Sequence, residues 1–308
     1  MKRLFILLCF CLSSTLLFAS SSFDYASLGK IPVLHQGRIK PLDSVGRYAL
    51  IHLNEKQSLK RDGQSISPTQ WIWDVFSSPE LTDADLIFKI IHPDLKTKLG
   101  LPKDEKHFPY SQLASHYPTL LNESETIQQR DASERSVYQK KVLQLTNKLN
   151  LYISLKHAFI PYAKSSFKDY VEEYQANLKV GLVAFNTYNN TGKLDSETQQ
   201  KDLYTFNQYF KFHQSLKDLS VLYFYPNTDD YAQADLWTTT GTQLLVLLDS
   251  GRSIHPLITS FSDLLLHYTE QNIAAFNQTA SQALMYHQDM GGLRFFLVQL
   301  EYVYQQLN

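Results

Sequence analysis

Residues 31–50 read IPVLHQGRIKPLDSVGRYAL, and this run carries more local instructions than any other in the chain. Gln36-Gly37 lies between two short apolar-bearing segments, Ile31–Leu34 and Arg38–Ile39. A two-residue hairpin turn there needs residues that tolerate positive φ, which glycine supplies. In an extended segment side chains alternate, so Arg38 and Lys40 point to the same side. Pro41 biases Lys40 towards extended geometry and ends the ladder. Asp43 is placed to cap a helix starting at Ser44, accepting from the Val45 or Gly46 amide. The expected unit is a hairpin, a stop and a capped helix, with two cations displayed together and His35 beside the turn.

Working back to the first residue, Lys2 and Arg3 precede an apolar run from Leu4 to Phe18, and small residues follow at Ala19–Ser22. That is the three-part pattern of a secretory signal peptide covering 1–19, and the run is short for a membrane anchor. Both cysteines, Cys9 and Cys11, fall inside it. A processed chain therefore has no disulfide, no thiolate chemistry and no C-x-x-C-H haem attachment. Without Lys2 and Arg3 there are 27 basic and 30 acidic residues. With no basic stripe interleaved with aromatics, nothing points to a nucleic-acid partner. No later apolar run approaches ~18 residues, so the expectation is an exported, periplasmic domain over 20–308, soluble by itself.

Working forward, the patterning is helical. Pro68 suits a first helical position before Trp71, Val75 and Phe76, with one of the two tryptophans, Trp71 and Trp73, buried. Thr82 and Asp85 have capping-box spacing ahead of an apolar face at Leu86, Ile87, Ile90 and Ile91. A short helix is expected from Asp94 to Leu99, and at most one more, Ser111–His116, within a connector from Pro102 to Pro118. Thus 20–130 reads as hairpin plus short helices and 131–308 as long helices. The latter begin between Asp131 and Asn190 with a break at Pro161, then continue over Glu197–Leu216. Val221–Tyr225 is β-branched and aromatic and ends at Pro226, which predicts a strand near the hairpin and a loop carrying Trp237. Helix resumes at Thr240, breaks at His255-Pro256, runs over Ile258–His287, and stops at Gly291-Gly292 before a terminal helix, Leu293–Leu307. The fold class is mostly α: a multi-helix, bundle-like domain with a small β element made of an N-terminal hairpin and one later strand. The 19 Tyr, 18 Phe and 3 Trp serve either helix seams or an aromatic surface.

Catalytic signatures are missing. No G-x-S-x-G, G-K-[ST] or G-x-G-x-x-G occurs, and no histidine pair stands at i, i+4 in H-E-x-x-H form. The ten histidines are scattered, so no metal site is expected. His35, Gln36, Gly37, Arg38 and Lys40 remain as binding candidates. Arg38 and Lys40 could grip a carboxylate, or could form internal salt bridges locking the hairpin to a helix. Pro41, Asp43, Pro226 and Trp237 are structural candidates.

Four segments carry a family resemblance. GRIKPLD (37–43) resembles the GR-x-KPLD segment in the extracytoplasmic region of membrane-bound system II cytochrome c synthetases. FKIIHPDLKTKLGLP (88–102), followed by Tyr110-Ser111-Gln112-Leu113, resembles that region in order. So does LYFYPNTDDYAQADLWTT (222–239), with its strand, proline and tryptophan. LVQLEYVYQQLN (297–308) resembles the approach to the family's transmembrane core. Trp71-Ile72-Trp73-Asp74 is not the family's Trp-rich haem-handling loop, because no membrane spans flank it. The resemblance implies an accessory chain, not an enzyme by itself, whose partner is a membrane haem-exporter-type synthetase subunit, with apocytochrome c as a second partner. It implies no covalently bound cofactor and at most transient contact between haem propionates and the Arg38/Lys40 hairpin. A different reading of the same residues is an exported helical binding protein with no role in haem chemistry.

Overall fold

The computed structural model describes residues 22–159, 167–226, 231–248 and 253–307. The expected signal peptide, Pro161 and residues 227–230 of the loop after Pro226 lie outside these residues. The described residues open with α1 (Tyr25–Gly29), capped by Asp24, and then form the expected hairpin, β1 (Pro32–His35) and β2 (Arg38–Pro41). Gln36 and Gly37 both take positive φ, 53° and 72°, in the turn. This is the mirror-image turn whose twist matches that of the flanking strands.

α2 (Leu42–Asn54) follows without a gap, and here one expectation fails. The N-cap is Pro41, with no side-chain cap. Asp43 lies inside the first turn, where its oxygens accept from Thr69 Oγ1 (2.9 Å), Arg47 Nε (2.6 Å) and Gln306 Nε2 (3.3 Å). The helix begins at Leu42, two residues before the expected Ser44, so Asp43 lies past the cap position and its carboxylate is used by side chains instead.

A second hairpin, β3 (Leu59–Arg61) and β4 (Gln64–Ile66), turns at Asp62-Gly63. α3 (Pro68–Ser77) starts with Pro68 in its first turn and Ser67 capping Gln70 N. Both Trp71 and Trp73 are fully buried, not one of them. After α4 (Pro79–Thr82) the expected helix over Leu86–Ile91 is absent. Phe88–Lys89 is instead strand β5, and Leu86 and Ile91 are exposed. The physical reason lies in Asp85, whose two oxygens take Arg61 Nε (3.0 Å) and Nη2 (2.8 Å). Thr82 Oγ1 meanwhile donates to Pro79 O and accepts from Tyr152 Oη, so neither half of the expected capping box forms.

α5 (Pro93–Lys98), β6 (His107–Phe108), which pairs with β5, and α6 (Tyr110–Leu113) lead into α7 (Tyr117–Gln128). α7 was not expected: Pro118 reads as connector but sits in the first turn, where its missing N–H costs nothing.

The long helices are α8 (Val137–Lys156), with a Ser136/Gln139 capping box, α9 (Phe167–Thr191) and α10 (Glu197–Leu219). Val221–Tyr225 is not a strand. It makes two single bridges, Leu34 to Tyr223 and Tyr225 to Thr238, so it joins the hairpin edge at one residue only. α11 (Thr240–Val246) and α12 (Pro256–Thr269) follow. Ile258–His287 is not continuous: a turn with Gln271 at φ 57° separates α12 from α13 (Ile273–Gln306). The expected stop at Gly291-Gly292 is a kink inside α13, where Gly292 has φ 47° and ψ −128°.

The architecture is mostly α with small antiparallel β pairs. Among the described residues no helix is long and apolar enough to cross a membrane. The aromatics serve largely as packing: Trp73, Phe76, Phe159, Phe224 and Phe261 form a buried chain with ring centroids 4.8–6.3 Å apart. A smaller core lies under the hairpin, where Leu34 and Ile39 pack on Tyr231, Trp237 and Val298.

Candidate functional site

Strand alternation divides the first hairpin into two faces. Leu34 and Ile39 look into the small core, while Val33, His35, Arg38 and Lys40 share the opposite face towards α2. The two cations therefore do point the same way. Between them, α2 and the end of α13 lies a cavity of about 360 Å³, walled by Arg38, Lys40, Arg47, Tyr48, Ile51 and Tyr304 together with smaller polar groups.

The cations differ in what holds them. Arg38 donates two bonds to Glu301, Nη1 to Oε2 at 2.6 Å and Nη2 to Oε1 at 3.1 Å, and Ser44 Oγ donates to the same carboxylate at 2.8 Å. This fork fastens the hairpin to α13, as the internal salt-bridge reading expects. Arg47 is paired with Asp43 and also donates to Gln57 Oε1 at 3.1 Å. Lys40 alone has no ion pair or hydrogen bond among the described residues. It is 7 % exposed, and its Nζ stands 5.9 Å from the Tyr48 ring centroid. Burial, and then the neighbouring Arg38 charge, push its ammonium below the usual lysine range, while Glu301 pulls the other way. Two of the three cations on this wall are neutralised by protein carboxylates and one is not. An incoming carboxylate or phosphate oxygen beside Lys40 gives that charge the partner it lacks.

The other sequence candidates are placed differently. His35 is core: it is 1 % exposed, edge-on to Tyr48 at 5.1 Å, and burial lowers its pKa to about 4. It is no outward-facing ligand. Gln36 donates to Tyr48 Oη at 2.8 Å and braces the cavity wall from the exposed turn, and Gly37 shapes that turn. Pro226 and Trp237 lie away from the cavity lining. Pro226 O accepts from His255 Nε2 at 3.2 Å, while Trp237 donates to Tyr231 O at 3.0 Å and stacks on His287. Among the described residues no cluster of His, Cys, Asp or Glu could hold a metal ion.

Arg47, Tyr48, Glu301 and Tyr304 were missed by sequence reasoning. Arg47 and Tyr48 sit one turn after Asp43 and Ser44, so helical spacing could have put them beside the hairpin. No local signal joins Arg38 to Glu301 across 263 residues. Comparison with models of known protein families gives no match. Comparison with curated proteins gives none either.

Proposed function

We propose that the protein is a non-catalytic binding module whose hairpin cavity takes a carboxylate-bearing ligand. In this reading it is an accessory periplasmic component of system II cytochrome c biogenesis. It docks on a membrane haem-exporting synthetase subunit and helps present haem and apocytochrome c for thioether formation. The observation that carries the binding is Lys40, a nearly buried cation on the wall of an open cavity with no ion pair or hydrogen bond among the described residues. Burying an unpaired charge is costly, so a site that keeps one gains most when an anion arrives. The cavity lies on GRIKPLD, the segment on which the family resemblance is strongest. At about 360 Å³ it is at the small end for ligand pockets and suits a propionate edge, not a whole macrocycle. The contribution would be positional, since holding reactants together makes a bimolecular step effectively local.

The test is a haemin titration of the purified protein, followed by its absorbance, with Lys40→Ala alongside. Loss of one charge-assisted contact weakens binding by roughly 10- to 100-fold, with secondary structure unchanged. In cells, deleting the gene lowers haem-stained c-type cytochromes, and the wild-type gene restores them better than Lys40→Ala does. Unchanged cytochromes in the deletion strain would end the biogenesis reading and leave a helical binding protein with no role in haem chemistry.

A further inference from the structure

Beyond its kink at Gly292, α13 turns one face to the body of the protein and another to solvent. The inward face holds Val298, Glu301, Tyr302 and Gln305. Val298 is buried under the hairpin, and Gln299 donates to Lys30 O at 3.1 Å. The outward face carries Leu293, Phe296, Leu297, Leu300, Val303, Tyr304 and Leu307, each between 49 % and 80 % exposed. At ~150–200 Å² for each large side chain this is roughly 700 Å² of apolar surface on one helix face, more than most monomers leave in one patch.

The spacing says more than the area. Counted from Leu300, the apolar residues fall at −7, −4, −3, +3, +4 and +7, so the pattern is the same read in either direction. An isologous contact requires a patch complementary to itself under a two-fold rotation. A helix whose apolar positions are symmetric about one residue meets that requirement when two copies cross antiparallel. Leu300 then faces Leu300, Leu293 faces Leu307, Phe296 faces Tyr304, and Leu297 faces Val303. The flanking charge does not oppose the pairing: Arg294 comes opposite Gln306. Two such faces together bury roughly 1,400 Å², within the ~1,200–2,000 Å² of a specific interface.

We infer that the α13 face centred on Leu300 is a self-association surface, on which a second copy of this chain packs antiparallel to form a two-fold dimer. The inference does not rest on what the hairpin cavity binds, although Tyr304 belongs both to this face and to the cavity rim. The dimer leaves Lys40 on the inward side of each copy, so two cavities flank one helix pair.

The experiment uses the full chain with Cys9→Ser and Cys11→Ser, measured by sedimentation equilibrium at micromolar concentration. The expected result is twice the chain mass. Leu300→Glu, at an exposed position on the two-fold axis, weakens dimerisation at least about 100-fold, with circular dichroism unchanged. In the same background Leu300→Cys cross-links to itself under mild oxidant. Leu293→Cys does so poorly alone but forms a mixed disulfide efficiently with Leu307→Cys. Should the glutamate variant fail to fold, the cysteine pairings decide alone. A monomer at ~100 µM, or self-linking of Leu293→Cys as in a parallel pair, overturns the inference. So does a monomer that floats with phosphatidylglycerol vesicles, which assigns the face to a lipid surface.

Discussion

At the scale of single residues, the chain hides its histidines. His35 and His213 have pKa values lowered to about 4 by burial, and His287 to about 3 by burial with a smaller contribution from His255. His213 bonds Tyr170 Oη through Nε2 (2.8 Å), and His287 bonds Tyr231 Oη through Nδ1 (3.0 Å). The second nitrogen of each has no partner among the described residues. In the unfolded chain all three titrate near 6.5. A depressed folded pKa contributes stability that is fully present above 6.5 and is lost as pH falls towards the folded value. Between pH 6.5 and 4 the unfolded state binds more protons, so stability falls on acidification by up to about 1.4 kcal/mol per pH unit for each histidine. Thermal unfolding at pH 7.5, 6 and 5 should show Tm dropping steadily. His213→Gln should start lower at pH 7.5 and fall less steeply. A Tm that holds level down to pH 5 would contradict the buried neutral state.

At the scale of elements, α2 and α3 approach each other closely enough to require a glycine. Gly46 stands where a Cβ would run into the backbone carbonyl oxygen of Pro68. Backbone has no rotamer with which to step aside, so Gly46→Ala is expected to cost about 2–3 kcal/mol, read as a lower urea midpoint with an unchanged m-value. What was legible in the sequence follows the same division between local and distant causes. The first hairpin could be read because Gln36-Gly37 dictates its own turn. The second carries an equally local signal, Asp62-Gly63, which the sequence reading passed over. Asp43 could not be read correctly, because the helix starts at Leu42 and leaves Asp43 inside the first turn, where Thr69 and Gln306, distant in sequence, hold it. The Leu86–Ile91 helix failed likewise: periodicity counts apolar residues but does not see that Asp85 belongs to Arg61. Lys40 was legible as one of two cations on a strand face, yet only the fold reveals which of the two is left without a carboxylate.

At the scale of the whole molecule, one buried polar chain joins distant parts of the sequence. Tyr25 Oη lies 3.0 Å from Tyr268 Oη, and Tyr268 donates to Asp74 Oδ1 at 2.6 Å. Arg61 Nη1 donates to Asp74 Oδ2 at 2.8 Å, and its other nitrogens hold Asp85. Burial pushes the Asp74 carboxyl up, while Tyr268 and Arg61 hold it part of the way down. Removing Asp74 strips the Tyr268 hydroxyl and Arg61 Nη1 of their acceptor in the interior while Asp85 still pairs Arg61, so Asp74→Ala is expected to cost about 2–4 kcal/mol. Because the chain ties α1, the second hairpin, α3 and α12 together, that loss should move near- and far-ultraviolet unfolding curves by the same amount. Separation of the two curves would show that these parts unfold independently.

The clasp between Arg38 and Glu301 has a consequence in the time order of synthesis. The hairpin wall is among the first parts of this sequence to be made, whereas Tyr304 and Gln305 on the facing wall come more than 260 residues later. Until then Arg38 lacks the Glu301 carboxylate, and the cavity that Lys40 lines has no far wall. A growing or truncated chain thus offers a bare hairpin, and only one completed through residue 305 closes the far wall of the cavity.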